Sequence, residues 1–253
     1  MAAFATATLT RVVLAQLAVA LAVSAAVIWF LRIAWFPVVT EAIQELPVTG
    51  MIRGGQLELG GESQTVLAQN ERLAIAVDVA SNAASGHAAD LQVTFEKSRA
   101  AFCGALGCWW QHYLPEYTIV FNRPDLEPRW GAWRGPILAV VAFATVASLY
   151  ATWWSLALFY VPLIKFIAFF TDRIVTWRGA WRQSAASLLP GALIVAIAIV
   201  LYGFGAIDLF RLALLYGMHI VCGLVFVVTS PFFLPKLSSL SRQTNPFGTA
   251  PIE

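Results

Sequence analysis

Charge is scarce in this chain. Only 12% of its 253 residues are Asp, Glu, Lys or Arg, roughly half the share of a soluble domain. A water-soluble fold of this length could not cover its apolar residues, 59% of the total, with so few charges. The net charge is +2 and no run of Lys or Arg occurs, so no nucleic-acid footprint is present. Cysteine is rare too. The three residues, Cys103, Cys108 and Cys222, are too few for a disulfide-built scaffold. There is no glycine-rich phosphate loop ahead of a helix, no His-Glu-x-x-His and no Gly-x-Ser-x-Gly. The reading is therefore of no catalytic residues, no metal and no cofactor.

What the chain does have is long apolar stretches. Val12–Phe36 is almost wholly apolar, and a spanning helix needs about 20 such residues. A cleavable signal peptide is the rival reading, because Val23–Ser24–Ala25 resembles a processing site. Signal cores run only about 7–15 residues, whereas apolar character here continues well past that triplet, so an uncleaved signal anchor is expected. A second apolar run covers Ile137–Ile164. A third, from about Ala185 to Phe204, holds Pro190–Gly191 in its first turns, where a bend is expected. A fourth runs from about Ile207 to Leu234. The short Gly203–Ala206 link makes the last two an antiparallel hairpin. Small residues recur at i,i+4 (Ala18/Ala22/Ala26, Ala192/Ala196 and Ala213/Gly217), a spacing that lets helices pack closely.

Residues 37–134 read differently. They hold 11 acidic residues against 7 basic ones, and apolar residues alternate with a period of two. Arg72–Val79, Leu91–Glu96, Tyr117–Phe121 and, more weakly, Gln56–Leu59 read as strands with one apolar face. Gly54–Gly55, Gly60–Gly61 and Ser81–Gly86 supply turns. Thr40–Leu46 reads as a short helix continuing the first span. Pro124, Pro128 and Pro136 bracket the return to apolar sequence.

The fold class that follows is a membrane α-helical bundle of four transmembrane helices with an inserted small antiparallel β-rich extracytoplasmic domain. Residues 1–36 are the tail and first helix, 37–134 the β-rich domain and 135–164 the second helix. Residues 165–184 form a cytoplasmic interfacial amphipathic segment. There Trp177/Trp181 and Arg178/Arg182 pair at i,i+4 on shared faces. Residues 185–234 are the hairpin and 235–253 a flexible cytoplasmic tail. Trp35, Trp130, Trp133, Trp177 and Trp181 are expected as interface anchors, where indoles prefer to sit. The positive-inside rule puts Arg11, Lys165, Arg173, Arg178, Arg182, Lys236 and Arg242 on the cytoplasmic side with both termini. Residues 37–134 then lie outside.

Two constellations could carry chemistry. Cys103 and Cys108, followed by Trp109, Trp110 and His112, read first as a disulfide in an oxidising compartment. A redox pair or a metal site with His112 are the alternatives, although the spacing is not Cys-x-x-Cys and a fourth ligand is needed. On the last span Asp208, Arg211, His219 and Cys222 fall on one helical face. Asp208 is expected to cap the helix and pair with Arg211. His219, 11 residues further on, reaches mid-membrane at about 1.5 Å per residue. An ionisable group at that depth faces either a functional cavity or a hydrogen-bonding neighbour such as Tyr202, Ser184 or Thr145.

The order of parts carries a resemblance. It comprises a signal anchor, a β-rich domain with Gly54–Gly55–Gln56–Leu57, and a basic Trp181–Arg182–Gln183–Ser184 leading into Leu188–Leu189–Pro190–Gly191. This order resembles an uncharacterised bacterial multi-pass membrane family near the Yip-type proteins. The resemblance implies architecture and a bacterial inner (cytoplasmic) membrane, and it brings no catalytic residues. The functional expectation is a non-enzymatic accessory or structural subunit. Its partners would be the lipid bilayer and other membrane-protein subunits, or a second copy of itself. The alternatives are a transport or channel component using the polar face of the last helix, and a periplasmic thiol or metal site.

Overall fold

The computed structural model describes residues 2–60, 64–79 and 89–236. The proposed Ser81–Gly86 turn and nearly all of the C-terminal tail lie outside the described residues. Among the described residues there are six α-helices and eight strands: α1 Leu9–Phe30, α2 Phe36–Gln44, β1 Gly50–Arg53, β2 Gln56–Leu59, β3 Gln64–Gln69, β4 Leu73–Asp78, β5 Leu91–Glu96, β6 Arg99–Gly104, β7 Gly107–His112, β8 Ile119–Val120, α3 Arg123–Phe170, α4 Trp177–Ser187, α5 Leu189–Gly203 and α6 Leu209–Thr229. Among the described residues four helical stretches are long and apolar enough to cross a membrane: Leu9–Gln44, Arg123–Phe170, Trp177–Gly203 and Leu209–Phe233. The chain divides into two compact units, residues 28–141 and the remainder.

In the unit of residues 28–141 a π-helical turn, Leu31–Trp35, joins α1 to α2. Pro37 causes it, since proline has no N–H for the carbonyl of Ile33 and its ring crowds the preceding turn. The Asn70 side-chain amide donates to the next carbonyl, that of Ala34, at 2.7 Å. Val38, Ala42 and Leu46 share one face of α2 and its exit. They pack with Ile52, Leu57, Leu73, Ile75, Val77 and Phe121 in one core.

The strands form two sheets, β2-β1-β8 and β3-β4-β5-β6-β7. Gly54 and Gly55 both take positive φ between β1 and β2, as a two-residue hairpin turn demands. The expectation of a purely antiparallel domain is corrected: β4 and β5 run parallel, Leu73 opposite Leu91 through Asp78 opposite Glu96. Alternation assigns faces, not the direction of the neighbour. β4 is buried on both faces.

The helical unit departs from the expected boundaries. α3 runs unbroken for 48 residues, roughly 72 Å. It takes up the end of the predicted β-rich domain, all three prolines and the first part of the predicted interfacial segment. Pro124 falls in the first turn, where its missing N–H costs nothing. The carbonyls freed by Pro128, Pro136 and Pro162 belong to Pro124, Ala132 and Leu158, which are exposed. The interfacial segment 165–184 is a second correction. The helix breaks at Thr171–Thr176, where Asp172 has a φ of 52°. α4 then starts at Trp177, capped by the Thr176 hydroxyl accepting from the Gly179 N–H. α4 is buried from Gly179 to Ser187 except at Trp181 and Arg182. Its face of Gly, Ala and Ser admits neighbouring backbone, and an amphipathic pattern cannot distinguish a lipid surface from that. α5 ends in a Schellman motif. Ala206 N–H donates to Leu201 and Gly205 N–H to Tyr202, with Gly205 at positive φ.

Small residues pack selectively. Ala192 and Ala196 are buried, whereas Ala18, Ala22, Ala213 and Gly217 are exposed. A Cβ on Gly191 would stand 2.5 Å from the carbonyl oxygen of His219, while one on Gly217 meets nothing within 4 Å. Gly191→Ala is therefore expected to cost about 1–3 kcal/mol by forcing α5 from α6. Gly217→Ala is expected to be neutral or stabilising by up to about 1 kcal/mol. Denaturation midpoints of the two variants in detergent check this pair.

Candidate functional site

The hairpin of β6 and β7 carries the most distinctive chemistry in residues 28–141. Gly107 at a φ of 112° closes the turn, placing Cys103 directly opposite Cys108. The two form a disulfide with their Cα atoms 4.1 Å apart. The bridge consumes both thiols, and His112 stands across from Arg99. Among the described residues no three His, Cys, Asp or Glu side chains group as a metal site.

Beyond the bridge, each tryptophan of β7 is held from β6. Trp109 packs on Phe102 with ring centroids 5.4 Å apart. Trp110 lies under the guanidinium of Arg99 at 5.3 Å, a cation–π contact. Arg99 is fixed in turn, its Nε donating to the Glu96 carboxylate at 2.5 Å. Adjacent residues of a strand point to opposite faces, so the two indoles present one aromatic surface on each side. β7 is the outer strand of its sheet, and all six of its residues are exposed. Trp109 is 60% and Trp110 47% exposed. Leu106 at the tip is fully exposed. The outward N–H and C=O groups of such an edge can accept another strand.

Behind Trp110 the sheet face is polar and closed. Asp78, Gln92, Thr94 and Glu96 are buried, and the Gln92 amide donates to the Thr94 hydroxyl at 2.9 Å. The Tyr113 hydroxyl donates to the Glu96 carbonyl at 3.1 Å. Burial raises the pKa of this phenol well above the ordinary tyrosine value, and the Glu96 charge adds to the shift.

The predicted polar face of the last helix comes together only in part. Asp208 caps α6, Oδ1 accepting from the Arg211 N–H at 2.7 Å. Its ion pair with Arg211 is 3.7 Å long and exposed on both sides, which contributes little. His219 Nδ1 is hydrogen-bonded to the Tyr216 carbonyl of its own helix, and its ring lies 4.7 Å from that of Tyr216. His219 and Cys222 are half-buried, while Arg211 is exposed. The predicted anchors differ among themselves. Trp133 and Trp177 are exposed, and Trp177 lies under the Lys165 ammonium at 5.4 Å. Trp130 spends its indole N–H on the Thr40 hydroxyl at 2.9 Å. Trp35 packs edge-on to Phe30, and Trp181 edge-on to Trp154.

Sequence reasoning missed a buried polar group inside the helical unit. Gln16, Gln183, Ser184, Ser187 and Ser230 are all buried. Gln183 donates to Ser230 at 2.7 Å, and Trp154 donates to Gln16 at 3.3 Å. Among the described residues, Gln16 Nε2, Gln183 Oε1 and Ser184 Oγ have no partner. For Gln16, a lone amide within an apolar run was the available signal.

Two outcomes follow. Thiol titration of the denatured, unreduced chain is expected to find one reactive cysteine, Cys222, and reduction to expose Cys103 and Cys108 as well. Tyr113 favours its neutral form in the folded chain, so its contribution is complete below the ordinary phenol pKa of about 10 and is lost as pH rises beyond it. Tyr113→Phe is expected to reduce the drop in denaturant midpoint between about pH 8 and about pH 11. Comparison with protein-family models, with curated proteins and with solved structures gives no match.

Proposed function

We propose that this chain is a multi-pass accessory subunit of a bacterial inner membrane that captures a membrane partner through its β-rich domain. The apolar runs within its four helical stretches, outside residues 37–134, would sit in the bilayer. Residues 37–134 would face the periplasm, and Arg11 and the C-terminal tail the cytoplasm. Large side chains such as Phe143, Phe159 and Phe169 of α3 and Phe210 of α6 are exposed, which supports lipid or a second subunit as their cover.

The observation that carries the partner reading is β7. An edge that no described strand pairs, carrying two pre-positioned tryptophans, supports strand addition, with backbone bonds supplying affinity and indoles supplying anchors. The disulfide keeps that edge in shape before the partner arrives, lowering the ordering cost. The half-packed His219, bonded within its own helix, gives the transport alternative no comparable support.

In mild detergent the intact protein is expected to copurify with a companion that a photocrosslinker at Gln111 captures. Trp109→Ala with Trp110→Ala should reduce that capture at least tenfold, about 1.4 kcal/mol or more by the hot-spot rule. A clean monomer with no companion, or capture indifferent to both tryptophans, sinks the reading. Impermeant thiol reagent should reach reduced Cys103 and Cys108 from one side of the membrane. An epitope placed after Glu253 should be accessible only from the other.

A further inference from the structure

Within the helical unit, α1, α3 and α4 frame an open cavity of about 810 Å³, inside the ~300–1,000 Å³ range of small-molecule sites. Its walls are apolar, with Val13 on α1, Leu158, Val161 and Pro162 on α3, and Trp177 and Trp181 on α4. Two cations complete the lining, Arg178 and Arg182. They stand one turn apart on α4 and share a face. Arg182 is held in place, its Nε donating to the Arg178 carbonyl at 3.1 Å and its Nη1 to the carbonyl of Ala7. Among the described residues neither guanidinium has a carboxylate partner. The surrounding segments, residues 1–27 and 165–187, carry Arg11, Lys165, Arg173, Arg178 and Arg182 against one acid, Asp172.

Hydrocarbon walls with uncompensated guanidinium groups at the rim select an amphiphile with an anionic head. We propose that this cavity binds an anionic phospholipid, its phosphate on Arg178 and Arg182 and an acyl chain along Leu158, Val161 and Pro162. Basic pockets between spanning helices on the cytoplasmic side suit acidic headgroups, and guanidinium groups match phosphate geometry. A soluble anion would have no use for the tryptophan and leucine walls, and a zwitterionic lipid would bring its own cation against the paired arginines. The site rests on the membrane reading above, which supplies both the lipid and the side from which it enters.

The test uses the full chain in nanodiscs of phosphatidylcholine with and without phosphatidylglycerol, read by native mass spectrometry for retained lipid. Phosphatidylglycerol is expected to be retained roughly tenfold or more over phosphatidylcholine, since each cation near the headgroup contributes about 1 kcal/mol. Arg178→Ala with Arg182→Ala should abolish the preference, and the paired Lys variants should keep part of it. Leu158→Trp fills the groove without touching either arginine and should also release the lipid, whereas Arg11→Ala should not. Equal retention of both lipids, or a preference that survives the double Ala variant, overturns the proposal. So does inorganic phosphate that displaces the lipid completely, which would make the site one for free anion. Alkaline carbonate extraction separates the two failures. A chain washed off the membrane defeats the membrane reading itself, while a chain that stays embedded without lipid preference defeats only this site.

Discussion

Helical backbone hydrogen bonding is what lets this chain carry more apolar surface than it can fold away. A helix pairs its N–H and C=O groups internally, so its side chains can meet a medium that offers no hydrogen bonds. α3 and α6 use that freedom most. Few of their apolar residues are buried, while Phe143, Phe159, Phe210 and Val221 stand exposed. α4 and α5 do the opposite, and most of their apolar window is enclosed by the rest of the unit. The difference lies in side-chain size. Gly179, Ala180, Ala185, Gly191 and Ala192 leave room for neighbouring backbone, and the large residues of α3 and α6 are left outside.

That close approach brings polar groups with it. Gln16, Gln183, Ser184 and Ser187 are interior residues, and among the described residues some of their hydrogen-bonding capacity is unspent. In a low-dielectric interior each unpaired group costs roughly 1–3 kcal/mol. Their contacts, Gln183 with Ser230 and Trp154 with Gln16, tie α4 to the segment after α6 and α1 to α3. Directional bonds of this kind set helix register where apolar packing alone would tolerate sliding.

The β-rich unit obeys a different constraint. Its core is built around α2 and the apolar face of β4, and it weakens outward through β6 to β7. At that margin the disulfide, the Phe102–Trp109 contact and the Glu96–Arg99–Trp110 series take over from burial. An edge strand held by its own neighbours is rigid without being covered, and the partner reading depends on that property.

The sequence by itself determined where apolar stretches long enough to span occur, that a polar β-rich segment separates the first from the second, and which residues alternate in β2, β4, β5 and β8. Those features depend on local composition and period. β3 was hidden by the irregularity between Val66 and Ala68, β6 by its small Ala100–Ala101, and β7 by adjacent tryptophans that face opposite ways. Tertiary structure alone decided the parallel pairing of β4 with β5, the burial of α4 and the unbroken course of α3 through four prolines. It also decided the edge position of β7 and the meeting of Arg178 and Arg182 with the α1 and α3 walls. Each of these depends on which surfaces meet, and periodicity along one segment carries no information about its neighbour.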